Sequence, residues 1–148
     1  MMTAENDAEL LAAVRTVIRL GRIAQQACDD AGLNLAQYRA LNSARGAGRR
    51  AYELAKTTSV SRPAISSLTG GMVRAGLIAR ENSEGDGRGV VFVVTDHGAD
   101  RLKAAEELLV SRFTEVLGDS RAALEALMTV PLETALDEQA DRDFGARA

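Results

Sequence analysis

The apolar positions Leu10, Leu11, Val14, Val17, Ile18 and Gly21 recur three and four residues apart, which predicts an amphipathic helix over residues 7–28. Asp29-Asp30-Ala31-Gly32 ends it, and Asn34 is suited to cap a second helix that runs to about Ala44. The glycines of Ser43-Ala44-Arg45-Gly46-Ala47-Gly48 mark a loop. A short helix over 51–57 (AYELAKT) then leads through a tight turn, Thr58-Ser59-Val60, into another helix. Ser61 is its natural N-cap, and Pro63 fits the first turn, where its missing N–H would have no intrahelical partner.

That helix contains the stretch ISSLTGGMVRA and stops at Gly76, a residue that commonly terminates helices. At helical spacing Ile65, Leu68, Met72 and Ala75 form one buried stripe, while Pro63, Ser66, Ser67, Gly70 and Arg74 face outward with Arg62 at the edge. Each of the two adjacent glycines costs a helix interior roughly 0.8–1.0 kcal/mol relative to alanine. The expectation is that Gly71, beside the stripe, lets a neighbouring helix pack closely, and that Gly70 keeps the outward face low. Leu77–Asn82 and Gly89–Thr95 are rich in β-branched residues and predict two strands, with Ser83-Glu84-Gly85-Asp86-Gly87-Arg88 as the hairpin tip. A long helix follows from Asp96 to Leu117, and Gly118-Asp119-Ser120 breaks it. The apolar series Leu124, Leu127, Met128, Leu132, Ala135 and Leu136 continues across Pro131, which predicts one last helix with a kink.

The order is helix, helix, helix–turn–helix, β-hairpin, long helix, helix. It defines a mainly α fold with a small β-hairpin wing: a winged helix-turn-helix lobe at 34–95, and a helical region made from both ends of the chain at 1–33 and 96–148. The apolar faces of the end helices call for a partner, and the same helices of a second copy are the simplest one.

Charge sharpens this division. Residues 34–94 hold eight Arg and one Lys against four Asp and Glu, net +5. Residues 1–33 carry net −2 and residues 95–148 net −6, within an overall charge of −3. A basic middle between acidic ends points to a polyanionic partner for the middle. At 148 residues the chain can bury a sizeable core, and with aromatics at 3% that core must be aliphatic. The single Cys28 and single His97 exclude a conventional structural zinc site, and no cofactor is called for. There is no paired-carboxylate motif, phosphate loop or Cys/His constellation, so an enzyme is not expected. No apolar run approaches the ~20 residues of a membrane span, the acidic MMTAENDAELL is unlike a signal peptide, and the lone cysteine fits a reducing cytoplasm.

From Leu35 to Ala99 the chain resembles the MarR family of bacterial winged-helix transcription regulators. The resemblance rests on Leu35-x-Gln37-Tyr38-x-x-Leu41, Glu53-Leu54-Ala55 with Val60-Ser61-Arg62-Pro63, Leu68, Gly76-Leu77-Ile78, Asp86-x-Arg88 and Thr95-x-x-Gly98, in the right order and spacing. It implies a homodimer with interlocking terminal helices, two DNA-binding lobes and a small-molecule effector, an aromatic one among the candidates. It also implies that Asp86 braces the wing by holding Arg88. The chain departs from the family's pattern in Gly70-Gly71, where charged residues are common, in Ser59, where glycine is frequent, and in Pro131.

A recognition helix enters the major groove of double-stranded DNA by its N-terminal residues, here Ser61, Arg62, Pro63, Ser66 and Ser67. Arg62 reads either as a bidentate guanine contact or as a phosphate contact. Arg88 at the wing tip suits a minor groove or a phosphate. Arg45, Arg49 and Arg50 suit backbone contacts, and Thr57, Thr58 and Ser59 offer hydroxyls that serve equally as caps. The expected function is a DNA-binding regulator, a repressor on a pseudo-palindromic operator. Arg22, Gln25, Tyr38 and His97 are candidates for an effector pocket. The rival readings are a winged-helix module that acts through protein contacts, and a redox-sensing regulator that uses Cys28.

Overall fold

A computed structural model describes residues 4–82 and 89–146. Glu5 and Asp7 in the first turn favour the positive end of α1 (Ala4–Asp30), which extends beyond its predicted bounds at both ends. Gly32, at φ 81°, turns the chain sharply after it, and Leu33 N–H donates to the Cys28 carbonyl at 2.9 Å. Asn34 then caps α2 (Leu35–Ser43) with a full capping box: its side chain accepts from Gln37 N–H, and the Gln37 side chain accepts from Asn34 N–H.

The helix–turn–helix comprises α3 (Ala51–Thr58) and α4 (Arg62–Arg74). Before it lies an element the sequence pattern did not predict, the two-residue strand β1 (Arg49–Arg50). With β2 (Ile78–Asn82) and β3 (Val90–Val94) it builds an antiparallel sheet of order β1-β3-β2, in register Arg49 to Phe92 and Ile78 to Val94. Gly48 makes the β1 pairing possible. Its φ is 77°, and a Cβ there would stand 2.7 Å from the Phe92 carbonyl oxygen.

The long helix α5 (Asp96–Leu117) begins at a tight joint with the sheet. Thr95 caps it by accepting from Gly98 N–H at 3.0 Å, and donates its own hydroxyl to the Gly76 carbonyl. Thr95 N–H donates to the Leu77 carbonyl at 3.2 Å. The α5 backbone comes so close that a Cβ on Gly98 would lie 2.0 Å from the Leu77 oxygen. Around this joint one mainly aliphatic core gathers Leu33, Leu41, Leu54, Met72, Ile78 and the aromatic Phe92 with Cys28, Leu102 and Ala105 from the end helices. Arg112 on α5 also pairs with Asp30 at the end of α1.

The end of the chain corrects one expectation. No kinked helix runs through Pro131. After a 3-10 turn at Gly118–Ser120 come a short α6 (Arg121–Glu125) and then a separate α7 (Val130–Ala146). Thr129 opens α7, its hydroxyl accepting from Leu132 N–H at 3.4 Å and its carbonyl from Glu133 N–H. Pro131 thus lies in the first turn, where a missing N–H costs nothing, so starting a new helix there avoids the roughly 3 kcal/mol of an interior proline.

Among the described residues, no helix is long and apolar enough to cross a membrane, and no group of three His, Cys, Asp or Glu is arranged to hold a metal ion. Replacing Gly98 by alanine forces α5 off the Leu77 backbone. Chemical denaturation should record a loss of more than about 2 kcal/mol, against a gain of up to about 1 kcal/mol for the same change at Gly21, inside α1, where a Cβ meets nothing.

Candidate nucleic-acid interface

The geometry of the helix–turn–helix follows from a few local bonds. Thr58 is 2% exposed, and its hydroxyl donates to the Leu54 carbonyl at 2.6 Å. It is therefore a buried helix-end residue, and the expected DNA contact from Thr58 is corrected: its oxygen faces its own helix, away from solvent. Thr57 is exposed but likewise bonds back, to the Glu53 carbonyl at 3.2 Å. Ser59 follows in the left-handed conformation, φ 58° and ψ 26°, the only described non-glycine residue at positive φ. This is where the resemblance leads one to expect glycine, and the turn keeps its shape with serine at some cost in strain. Two residues on, the Ser61 hydroxyl accepts from Ala64 N–H at 3.3 Å and caps α4, with Pro63 in its first turn as expected.

This cap fixes which face of α4 looks outward. Ser61, Arg62, Pro63, Ser66 and Ser67 are all exposed at its N-terminal half, together with Ala64. The buried side differs from the predicted stripe: Ile65, Thr69 and Met72 point inward, Leu68 is half-buried, and Ala75 is exposed. Thr69 was missed because its type suggests solvent. In a helix its hydroxyl can donate to the carbonyl four residues back, and here it reaches the Ile65 oxygen at 2.9 Å, which leaves a methyl group for the core. That back-bonding capacity is the signal that marks a helical threonine as a possible core residue.

The two glycines also read differently in three dimensions. No neighbouring helix approaches Gly71; the nearest atom to a Cβ there is an Arg74 guanidinium nitrogen at 3.9 Å. At Gly70 the same side chain comes within 3.3 Å. The pair clears space for Arg74 to lie back along its own helix, a role for which the apolar pattern carries no sign.

Several other cations of the lobe meet partners within the fold. Arg45 pairs with Glu106 on α5, an exposed pair that is weak in water. The Arg49 guanidinium donates to the Gly48 carbonyl at 3.1 Å, and the half-buried Arg50 opens α3, its N–H donating to the Glu53 carboxylate at 2.7 Å. The Arg80 guanidinium lies 5.9 Å from the Phe92 ring centre. Asp86 and Arg88, and with them the expected brace at the wing tip, lie outside the described residues.

One neighbour of the recognition helix was unforeseen. The C-terminal helix α7 lies against α3, and its Ala140, Asp143 and Phe144 share a cleft with Ser61 and Arg62 at the start of α4. The Arg62 guanidinium sits 4.8 Å over the Phe144 ring, and Lys56 pairs with Asp141. The Asp141 hydrogen bond, more than any other influence, raises the Lys56 ammonium above its ordinary value.

The four effector candidates have different surroundings. Arg22 lines a groove with Arg19, Leu20, Ile23 and Val116, between α1 and α5, that includes none of the other three. Tyr38 is half-buried near Cys28, Glu106 and Arg45; burial first, then the Glu106 charge, pushes its hydroxyl above the usual tyrosine value. His97 is exposed in the first turn of α5, near Gly76, and Gln25 is exposed on α1.

A two-helix reader on a three-stranded sheet, followed by a long helix, is a winged helix-turn-helix lobe. The MarR family profile matches residues 31–89, which span this lobe from before α2 into the hairpin. The fold extends the likeness to both ends of the chain. A transcriptional repressor, CouR, solved bound to a 23-mer DNA duplex, is 28% identical, with 86% of this chain and 96% of that one covered at a TM-score of 0.66. Apo wild-type MarR from E. coli is 25% identical over 86% of this chain and 96% of its own, with a TM-score of 0.64. A MarR family protein of Mycobacterium tuberculosis, Rv2887, solved with salicylic acid, shares the fold at 24% identity, 96% coverage of both chains and a TM-score of 0.57. No curated protein sequence matches the chain. The lobe is thus similar to the MarR family over residues 31–89, and the whole chain has the fold of MarR family regulators.

Replacing Gly70 by alanine asks only that the flexible end of Arg74 move by a few tenths of an ångström, while it removes a helix-interior glycine. Thermal or chemical unfolding should show a gain of up to about 1 kcal/mol; a loss would mean that the lie of Arg74 against the helix carries more weight than the backbone.

Proposed function

We propose that this chain is a DNA-binding transcription regulator that acts as a repressor on a pseudo-palindromic operator, as a homodimer. The observation that carries the reading is the set of exposed side chains on the first half of α4, Ser61 to Ser67, presented by a lobe of net charge +5. Small serines let the helix approach the base edges closely, and Arg62 carries the fork geometry that pairs with guanine. Repression is favoured by the likeness to the DNA-bound repressor at 28% identity.

Dimerisation is supported by apolar surface without a cover in one chain. Leu10, Leu11, Val14, Val17 and Ile18 on α1 are all exposed, Ile18 at 67%, and so are Val116 on α5 and Met128 and Val130 near the start of α7. A face of this extent marks an interaction surface, and a second copy supplies a matching one. We accordingly assign residues 34–95 to the DNA-binding lobe, and 1–33 with 96–148 to the dimer region. A small-molecule effector would meet Arg22 in the groove beside Arg19, where two guanidiniums next to apolar walls suit an aromatic acid. Such a regulator works in the cytoplasm, beside the DNA.

The redox reading has little physical support. Cys28 has no exposed surface, and burial followed by the Asp29 charge raises its thiol above the ordinary value, so the reactive thiolate is suppressed. In the folded protein Cys28 should resist alkylation by iodoacetamide, and peroxide should leave DNA affinity unchanged. Rapid native labelling would reinstate that reading.

Footprinting on the DNA beside the protein's own gene should reveal two half-sites about one helical turn apart. If a dimer neutralises about eight phosphates, log K should fall against log salt with a slope near about −7. Replacing Arg62 by alanine should cost about 1–3 kcal/mol on the operator and much less on random DNA. Salt-independent binding, or none, would favour the protein-interaction module instead.

A further inference from the structure

We propose that α7 is an internal competitor for DNA: in the free protein it docks on the reading head of its own chain and engages Arg62 and Lys56, and DNA binding releases it. The proposal rests on the DNA-binding reading above. Asp137, Ala140, Asp141 and Phe144 stand three and four residues apart, on one face of α7. From that face Asp141 pairs with Lys56 at the end of α3, and Phe144 lies under the Arg62 guanidinium. The same contact closes a narrow cleft whose other wall is Ala55, Val60 and Ser61. Phe144 is thus packed against the lobe's own core cluster while it occupies the arginine best suited to read a base.

The charge of α7 fits this role. It carries five Asp and Glu against one Arg, net −4, and meets the basic part of the chain. An acidic helix there offers Lys56 what a phosphate would offer, and repels the duplex that would replace it. The chain between α6 and α7, Ala126 to Thr129, is outside both helices, so α7 can leave as a unit. The contact is also weak enough to yield. Lys56 and Asp141 keep 36% and 61% of their side-chain surface exposed, and an arginine–aromatic contact at a wet site is modest. Leu136 and the residues Leu127, Met128 and Val130 stay exposed while α7 is docked, so docking and dimer formation use different surfaces.

The test measures binding of a fluorescent mixed-sequence 30-base-pair duplex at low salt, by anisotropy, for the full chain and for an Asp141→Asn/Phe144→Ala variant. The variant should bind roughly five- to twentyfold more tightly, and Phe144→Ala alone severalfold more tightly without any change of charge. Glu133→Gln, which removes an equal charge elsewhere on α7, should give less than twofold. The chain has two lysines, Lys56 and Lys103, so a zero-length carbodiimide cross-link is simple to map. Lys56 should join Asp141 in free protein and lose that link when the duplex is added, while the Lys103–Glu107 pair serves as a control. With an equal mixture of 15N-labelled and unlabelled protein, the link should lie within single chains. Equal or weaker binding by the variant, an equal gain from Glu133→Gln, or links between labelled and unlabelled chains would overturn the clamp while leaving the DNA-binding reading intact. If none of the proteins binds the duplex, the DNA-binding reading itself fails and takes the clamp with it.

Discussion

The joint between Leu77 and Gly98 holds the reading head to the rest of the molecule. The α5 backbone there touches the backbone that leaves α4, a contact only a residue without a Cβ permits. Thr95 ties the two segments by capping α5 with its side chain while it donates to the Gly76 and Leu77 carbonyls. Because α4 ends at Gly76, whatever displaces the start of α5 displaces the far end of the recognition helix too. The long helix, running back along α1, thereby connects the apolar surface at one end of the molecule to the angle at which Arg62 and the serines are offered. That link couples the helical region to the exposed head of α4.

The distribution of charge acquires its meaning from this frame. The positive middle of the chain becomes a lobe with one exposed helix end, and the acidic tail becomes a helix lying across part of it. Several cations of the lobe meet carboxylates in the folded chain, Arg45 with Glu106 and Lys56 with Asp141. Such exposed pairs contribute little to stability, but they set what an incoming phosphate must displace. The lobe of a monomer is therefore less open to a polyanion than its net charge suggests.

Much of the fold was legible from local chemistry. Asn34 and Ser61 cap the helices expected of them, Gly76 ends α4, and α5 spans the predicted 96–117. Elements whose stability is local leave a local signature. β1 left none, because two residues contain no period and the strand exists only through its pairing with β3. Pro131 misled for a related reason: the apolar series on either side is continuous, and only the packing of α7 against α3 shows that the chain begins a new helix there. Of the candidate site, the exposed head of α4 was readable from the cap and the helical spacing. The inward turn of Thr58 and Thr69 was not, since both satisfy their hydroxyls on their own helix and so hide a polar residue in an apolar place.

The sequence by itself determined the order of the elements, the helix boundaries that caps and glycines dictate, the outward set Ser61, Arg62, Pro63, Ser66 and Ser67, and the split between basic middle and acidic ends. These depend on spacing, conformational preference and charge, all of which are properties of neighbours along the chain. Only the tertiary structure decided that Gly98 is a contact point, that Gly70 and Gly71 make room for Arg74, and that Phe144 reaches Arg62. Each of these depends on how a side chain or a bare Cα meets its spatial neighbours; for the joint and the Phe144 contact, those neighbours are distant in the chain.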